Sequence, residues 1–174
     1  MKKLLIIFLL NTVNLSAHPH TFIDLHPNLH VEDGTIVKTE FKWKMDDMTS
    51  AMLIMEFDAN NNGKIDKEES DFIYENYFLS LKSYNFYTEV EVDGKTMTLP
   101  KIKNFRATIE DNRICYFFEL DESFSAKNTI FKFSDKEMFV AIMLKDKFIA
   151  IDGAKAKVDG EDMDFFFEHR ISFE

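Results

Sequence analysis

Val37-Lys38-Thr39-Glu40-Phe41-Lys42-Trp43-Lys44 alternates inward-suited residues with charged ones. A period of two is the mark of a half-buried β-strand, because successive side chains point to opposite sheet faces. Just upstream stands Asp33-Gly34, and three more glycines also follow aspartate: Asp93-Gly94, Asp152-Gly153 and Asp159-Gly160. Asp-Gly favours tight hairpin turns, since glycine takes positive φ at no steric cost. Between and beyond these turns, further strands are expected over residues 86–92, 95–99, 102–110, 113–120, 129–133, 138–144, 148–151, 154–158 and 165–173. Short strands with regular turns predict a mainly β, α+β fold: an antiparallel β-sandwich or open barrel.

Past Trp43 the period changes. Met45, Met48, Met52 and Met55 recur at helical spacing, and Phe72, Ile73, Tyr77 and Leu81 do so after a polar gap. A helical hairpin over about 45–82 is therefore inserted after the second strand, within a single β-rich domain spanning 18–174. At this spacing the methionines are expected in the core.

The fifth glycine sits in that gap, in Asp58-Ala59-Asn60-Asn61-Asn62-Gly63-Lys64-Ile65-Asp66-Lys67-Glu68-Glu69. This is the spacing of an EF-hand calcium loop. A hard cation needs six to eight oxygens. Asp58, Asn60 and Asn62 can offer side-chain oxygens, Lys64 its carbonyl, Asp66 an oxygen through water, and Glu69 two oxygens. Gly63 allows the sharp bend. Ile65 matches the apolar position that pairs with a neighbouring loop where EF-hands come in pairs. Only one such loop is present, so Ca²⁺ is expected to brace the fold, at the weak end of the affinity range typical of exported modules.

The chain has 174 residues, with 21 Lys+Arg against 31 Asp+Glu and a net charge of −10. That argues against nucleic acid as a partner and is compatible with cation binding. One cysteine, Cys115, excludes an intramolecular disulfide and a cysteine-based zinc site. Residues 1–17 read as a signal peptide: Lys2 and Lys3, an apolar run from Leu4 to Leu10, and small Ala17. The run is too short to span a bilayer permanently, so the mature protein is expected in the periplasm and not embedded in a membrane. Cleavage removes two lysines and no acid, leaving a more acidic chain that begins at His18.

All five histidines lie near one end or the other: His18, His20, His26, His30 and His169. On an extended strand His20, Asp24, His26 and His30 share one face, with neighbours about 6.6 Å apart, and Pro27 is expected to break the strand. A free amine on His18, its ring and His20 can chelate one transition metal, with Asp24, His26 and His169 as further candidates. Pro19 has no N–H to lose, which removes the square-planar mode built on backbone amides. What remains resembles the N-terminal histidine brace of periplasmic copper-resistance proteins and copper oxygenases. Imidazole suits Zn²⁺, Ni²⁺, Co²⁺ and Cu²⁺ alike. For His169 the simpler reading is a core histidine bonded to a backbone carbonyl.

Ala17-His18-Pro19-His20, then Phe22-Ile23-Asp24, Trp43, the aspartate-bearing insertion and Phe133-Ser134-Asp135-Lys136-Glu137-Met138-Phe139 carry a resemblance over the whole mature chain. Together they resemble the bacterial periplasmic Domain of Unknown Function family one thousand and seven, also described as the periplasmic component of an uncharacterised ABC-type transport system. The resemblance implies a partner among membrane permeases for nickel, cobalt or zinc. Residues 136–139 depart from the proline and paired tyrosines usual in that segment.

The combined expectation is a periplasmic metal-binding accessory of a transition-metal transport system, with no enzymatic activity. Two other classes compete with it: a calcium-dependent protein-interaction module and a copper histidine-brace oxidoreductase. There is no serine-nucleophile motif or phosphate loop, and Cys115 alternates within an apolar strand, as a buried, inert thiol would.

Overall fold

Asp33 (φ 47°) and Gly34 (φ 75°) both take the left-handed backbone of a tight hairpin turn. They fold Thr21–Glu32 (β1) back onto Thr35–Met45 (β2) in antiparallel register, with Leu25 opposite Trp43. The computed structural model describes residues 20–99 and 101–174; the leader expected at 1–17 and His18 fall outside the described residues.

The chain then enters helices Asp47–Phe57 (α1) and Lys67–Asn76 (α2), followed by 3-10 turns over Phe78–Tyr87. Strands resume with Thr88–Val92 (β3), Lys95–Thr96 (β4), Ile102–Glu110 (β5), Arg113–Leu120 (β6), Phe124–Ser125 (β7) and Thr129–Phe133 (β8). Val140–Leu144 (β9), Ala150–Asp152 (β10), Ala156–Asp162 (β11) and Phe167–Phe173 (β12) complete the described strands. Two sheets result, and they do not close into a barrel. One has the order β10-β1-β2-β6-β5, with β9 also against β1 and β7 against β2; the other runs β11-β12-β8-β3-β4.

Aromatic side chains fill the space between them. Phe41 and Trp43 from β2 and Phe118 from β6 meet Phe131 and Phe133 from β8, all at most 1% exposed. Trp43 meets Phe118 edge to face at 5.0 Å, and Phe41 meets Phe133 at 5.5 Å, the tilted geometry that the ring quadrupoles favour. Phe78, fully buried just after α2, stacks into the same cluster. The insertion therefore shares the core of the β domain.

The mainly β, two-sheet architecture agrees with expectation, and several details differ. The sheets are not purely antiparallel, because β9 and β10 both lie parallel to β1. Pro27 does not break β1. Leu25 is the last residue paired with β9 and Asn28 the first paired with β10, so the proline falls where the neighbouring chain loops out over Asp146–Phe148. A residue without an N–H belongs in such a gap.

Val37 is 40% exposed and Ile36 is buried instead, because the β1–β2 register shifts between His30 and Val31 and reverses the inside–outside parity there. Only two of the four Asp-Gly pairs, at 33–34 and 93–94, make hairpin turns. Gly153 instead lies against the backbone of Val31, and Gly160 lies inside β11 beneath the Phe167 ring. A third left-handed turn, Asp111-Asn112, joins β5 to β6 with no glycine.

Candidate metal centre

The helices around the 58–69 loop are set by their caps. Asp46 accepts the Thr49 N–H (2.9 Å) at the start of α1 and also the Phe22 N–H (2.9 Å) of β1, so one carboxylate joins helix to sheet. Burial opposes its charge, but these N–H groups and the Thr49 hydroxyl hold the Asp46 carboxyl below the usual range. Asp66 and Glu69 form a capping box at the start of α2: Asp66 accepts the Glu69 N–H, and Glu69 accepts the Asp66 N–H, both at 3.0 Å. Two N–H groups that no helical turn could satisfy are thereby paired.

Between the caps the loop folds on its own side chains. Asp58, 6% exposed, accepts the Asn62 N–H (2.9 Å) and the Gly63 N–H (2.8 Å) on its two oxygens. Asn60 also accepts the Asn62 N–H (3.0 Å), and Asn62 accepts the Lys64 N–H (2.8 Å). The Asn60 amide donates to Asp66 (3.1 Å), and the second Glu69 oxygen reaches back to the Ala59 N–H (2.9 Å). Gly63 takes φ 76°, the left-handed turn expected of it. The six expected ligand positions, Asp58, Asn60, Asn62, Lys64, Asp66 and Glu69, thus lie in one hydrogen-bonded loop between two helices.

The charge of this loop is not balanced. Among the described residues, Asp58, Asp66 and Glu69 have no basic side-chain partner, and the adjacent Lys67 pairs with Asp71. Their negative charge is met only by backbone N–H groups and the Asn60 amide. Even so, no three His, Cys, Asp or Glu side chains among the described residues stand as a ready-made ligand group. In the loop the carboxylate oxygens are turned onto backbone N–H groups.

The single loop leans on the sheet rather than on a second loop. Ile65 packs against the edge of the core. Ser70 accepts the Ala107 N–H of β5 (2.9 Å), and Ser50 on α1 accepts the Ile114 N–H of β6 (3.1 Å). Neither serine is marked by the sequence. Mid-helix serines carry no sequence signal of their own, whereas the Asp66-x-x-Glu69 capping pattern was readable.

The described histidine candidates are dispersed. His20 is exposed, and its N–H donates to the Phe139 carbonyl (2.9 Å). Asp24 is committed to Arg113 (3.2 Å) and Lys145 (3.5 Å). His26 stacks on Phe148 at 4.0 Å with its Nε2 buried and unpaired among the described residues. Burial and the nearby Lys42, Lys44 and Arg113 lower its pKa, and those same cations repel a metal ion.

His169 is half-buried, and its Nε2 lies 3.0 Å from the Ile142 carbonyl. Only the donor tautomer suits that contact, as in the simpler reading above. Burial lowers its pKa too. It lines a cavity of about 410 Å³ with Ile142, Phe165 and Phe167. Among the described residues, no three of His20, Asp24, His26 and His169 gather as a ready-made ligand group, and His18 lies outside the described residues. His30, outside the candidate set, lies 3.0 Å from both Glu32 and Asp152. Cys115 is fully buried, with its thiol pushed up to about 11 by burial.

Over 66 residues the chain is 35% identical to an uncharacterized 15.5 kDa protein in the trpE 3′ region of Spirochaeta aurantia, covering 38% of this chain and 47% of that one. Over 109 residues it is 24% identical to an uncharacterized protein of Haemophilus influenzae, covering 60% of this chain and 50% of that one. The chain spans about half the length of these curated relatives. The family model described as "Protein of unknown function (DUF1007)" matches residues 3–161, nearly all of the sequence, and the chain belongs to that family.

Proposed function

We propose that this is an exported periplasmic metal-binding protein whose 58–69 loop takes Ca²⁺, and that it serves as an accessory to a transition-metal transport system. The observation that carries the calcium reading is that Asp58, Asp66 and Glu69 meet no basic side chain among the described residues, in a loop that also holds Asn60, Asn62 and the Lys64 carbonyl. This is an all-oxygen donor set, which suits a hard cation and not a soft one. A bound Ca²⁺ would supply positive charge and a rigid link between α1 and α2. The chain's own part is to hold the loop bent at Gly63 and to release Glu69 from its capping contacts toward the cation.

Because α1 and α2 are fastened to β6 and β5, an ion holding the two helices together stabilises the sheet edge as well. Binding only the folded state adds stability by mass action. With a dissociation constant of about 10⁻⁴ to 10⁻³ M, about 10 mM Ca²⁺ would add roughly 1.4–2.7 kcal/mol. For a domain of this size that is a rise in Tm of roughly 3–10 °C.

The experiment is a melting curve with Ca²⁺ against an equal concentration of Mg²⁺, on the wild type and on Glu69→Gln. Glutamine keeps the capping box but lacks the charge, so the variant should fold normally and lose most of the calcium response. A wild-type Tm that ignores Ca²⁺ would sink the calcium reading.

Capture of the transition metal is assigned to the mature terminus, through the His18 amine and ring and the His20 imidazole, for later delivery to a membrane permease. Titration of the mature chain with Zn²⁺, Ni²⁺, Co²⁺ and Cu²⁺ should show a site that His18→Ala with His20→Ala removes. Unchanged affinities in that double variant would end this part of the reading while leaving the calcium loop standing.

A further inference from the structure

The methionines of α1 do not behave as core residues. Met45, at the end of β2, is 5% exposed, whereas Met48 is 65%, Met52 54% and Met55 83% exposed. Met55 is the most exposed large apolar residue among the described residues. The helix buries its other face through Phe57, with Leu53 and Ile54 packed against the core. Every large apolar side chain on the outward face is therefore a thioether, and none of those on the inward face is.

Such a division by chemistry needs a reason that hydrophobicity does not supply. A solvent-facing helix position is ordinarily polar, and leucine would serve an apolar contact as well as methionine. What methionine adds is a soft, polarizable sulfur on a flexible stem. Positions 48, 52 and 55 are spaced i, i+4 and i+7, which places all three on one face. Neighbours at these spacings have Cβ atoms about 5–6 Å apart, within reach for three long side chains to meet over the middle one.

We propose that Met48, Met52 and Met55 form a thioether site for a soft monovalent cation, Cu⁺. Thioethers select Cu(I) among the first-row metals. Divalent calcium has no affinity for sulfur, so the oxygen loop that begins three residues after Met55 and this face would not compete for the same ion. Exposed Glu56 at one end of the face and the net charge of −10 raise the local concentration of cations. The site is independent of the calcium loop and of His18 and His20, because it uses none of their atoms.

The test is run anaerobically on the mature chain carrying His18→Ala and His20→Ala, so that terminal imidazoles do not bind the probe. Cu⁺ is buffered by a colorimetric chelator under ascorbate, and Ag⁺ serves as a redox-inert substitute followed by the ¹³C methyl resonances of methionine. The methyls of Met48, Met52 and Met55 should shift together and saturate at one equivalent, while that of Met45 stays in place. M48L/M52L/M55L preserves helix propensity and apolar area but removes sulfur. It should bind Cu⁺ more weakly by about tenfold or more with an unchanged circular dichroism spectrum.

Equal Cu⁺ affinity in the triple variant overturns the proposal. So does a set of methyl shifts that appears on concentrating the protein without metal, persists at the leucines and ignores Ag⁺, which would make this face a protein-docking surface. Loss of the calcium response in Glu69→Gln leaves the Cu⁺ result unaffected, which separates the two readings.

Discussion

The Ser70 hydroxyl accepts the Ala107 N–H at 2.9 Å, in a position where both groups are buried. Strand β5 is the edge of its sheet, where alternate N–H groups point away from the neighbouring strand, and this one is met by a helix side chain. Ser50 does the same for Ile114 on β6. The inserted hairpin is thus hydrogen-bonded to the sheet as well as packed on it. Removing the acceptor strands a buried N–H, which costs about 1–3 kcal/mol. Ser70→Ala and Ser50→Ala should each lower the unfolding free energy by that amount, read as a lower urea midpoint with an unchanged m-value. A loss under about 0.5 kcal/mol in both would show that the helices do not depend on these bonds.

His169 should make the fold sensitive to mild acid. Burial lowers its pKa below 6.5 in the folded chain, so the neutral ring is the stabilising form. Its contribution is complete above the unfolded value of about 6.5 and is lost as pH falls through the lower folded value. His26 shifts in the same direction for the same leading reason. Comparing wild type with His169→Gln between about pH 8 and pH 5 isolates the one ring. The wild-type stability should fall more steeply, and superimposable slopes would exclude the assignment.

Thr39 is fully buried at the centre of β2, and its hydroxyl has no hydrogen-bond partner among the described residues. Thr39→Val keeps the shape and β-branching while removing the orphaned oxygen. The change should be neutral or stabilising by up to about 1 kcal/mol, read as a rise in Tm. A clear destabilisation would mean that the hydroxyl has a partner after all.

Gly153 and Gly34 carry similar backbone angles, φ 81° and 75°, but different surroundings. A Cβ at 153 would stand 1.9 Å from the Val31 carbonyl oxygen, whereas one at 34 meets nothing within 4 Å. Gly34→Ala should cost only the left-handed backbone term, about 1 kcal/mol. Gly153→Ala must also push β10 off β1 and should cost about 3 kcal/mol or more. Equal costs, measured by denaturant unfolding, would contradict the close packing of β10 on β1.

The two glycines also show what local sequence leaves open. Asp33-Gly34 and Asp152-Gly153 are the same dipeptide, and local chemistry offers a turn for both. Only the arrival of β10 alongside β1 turns the second into a packing contact. The methionines fail in the same way. Helical spacing is visible in Met48, Met52 and Met55, but a period of 3.6 says which residues share a face and not which face meets the core. Val37 lost its expected place to Ile36 because a register shift opposite it cannot be seen from one strand alone.

What the sequence determined by itself was local: the alternation of β2, the helix periods on either side of residues 58–69, the capping pair Asp66 and Glu69, and the oxygen-bearing order of the loop. These rest on interactions within a few residues, so neighbours in sequence suffice to specify them. The tertiary structure decided the parallel docking of β9 and β10, which lets Pro27 sit inside a continuous strand, and the serine bonds that tie the insertion to β5 and β6. It also separated His26 and His169 onto different neighbours and turned three thioethers outward. Each of those outcomes depends on which distant segment comes alongside, and burial and pairing are properties of that meeting.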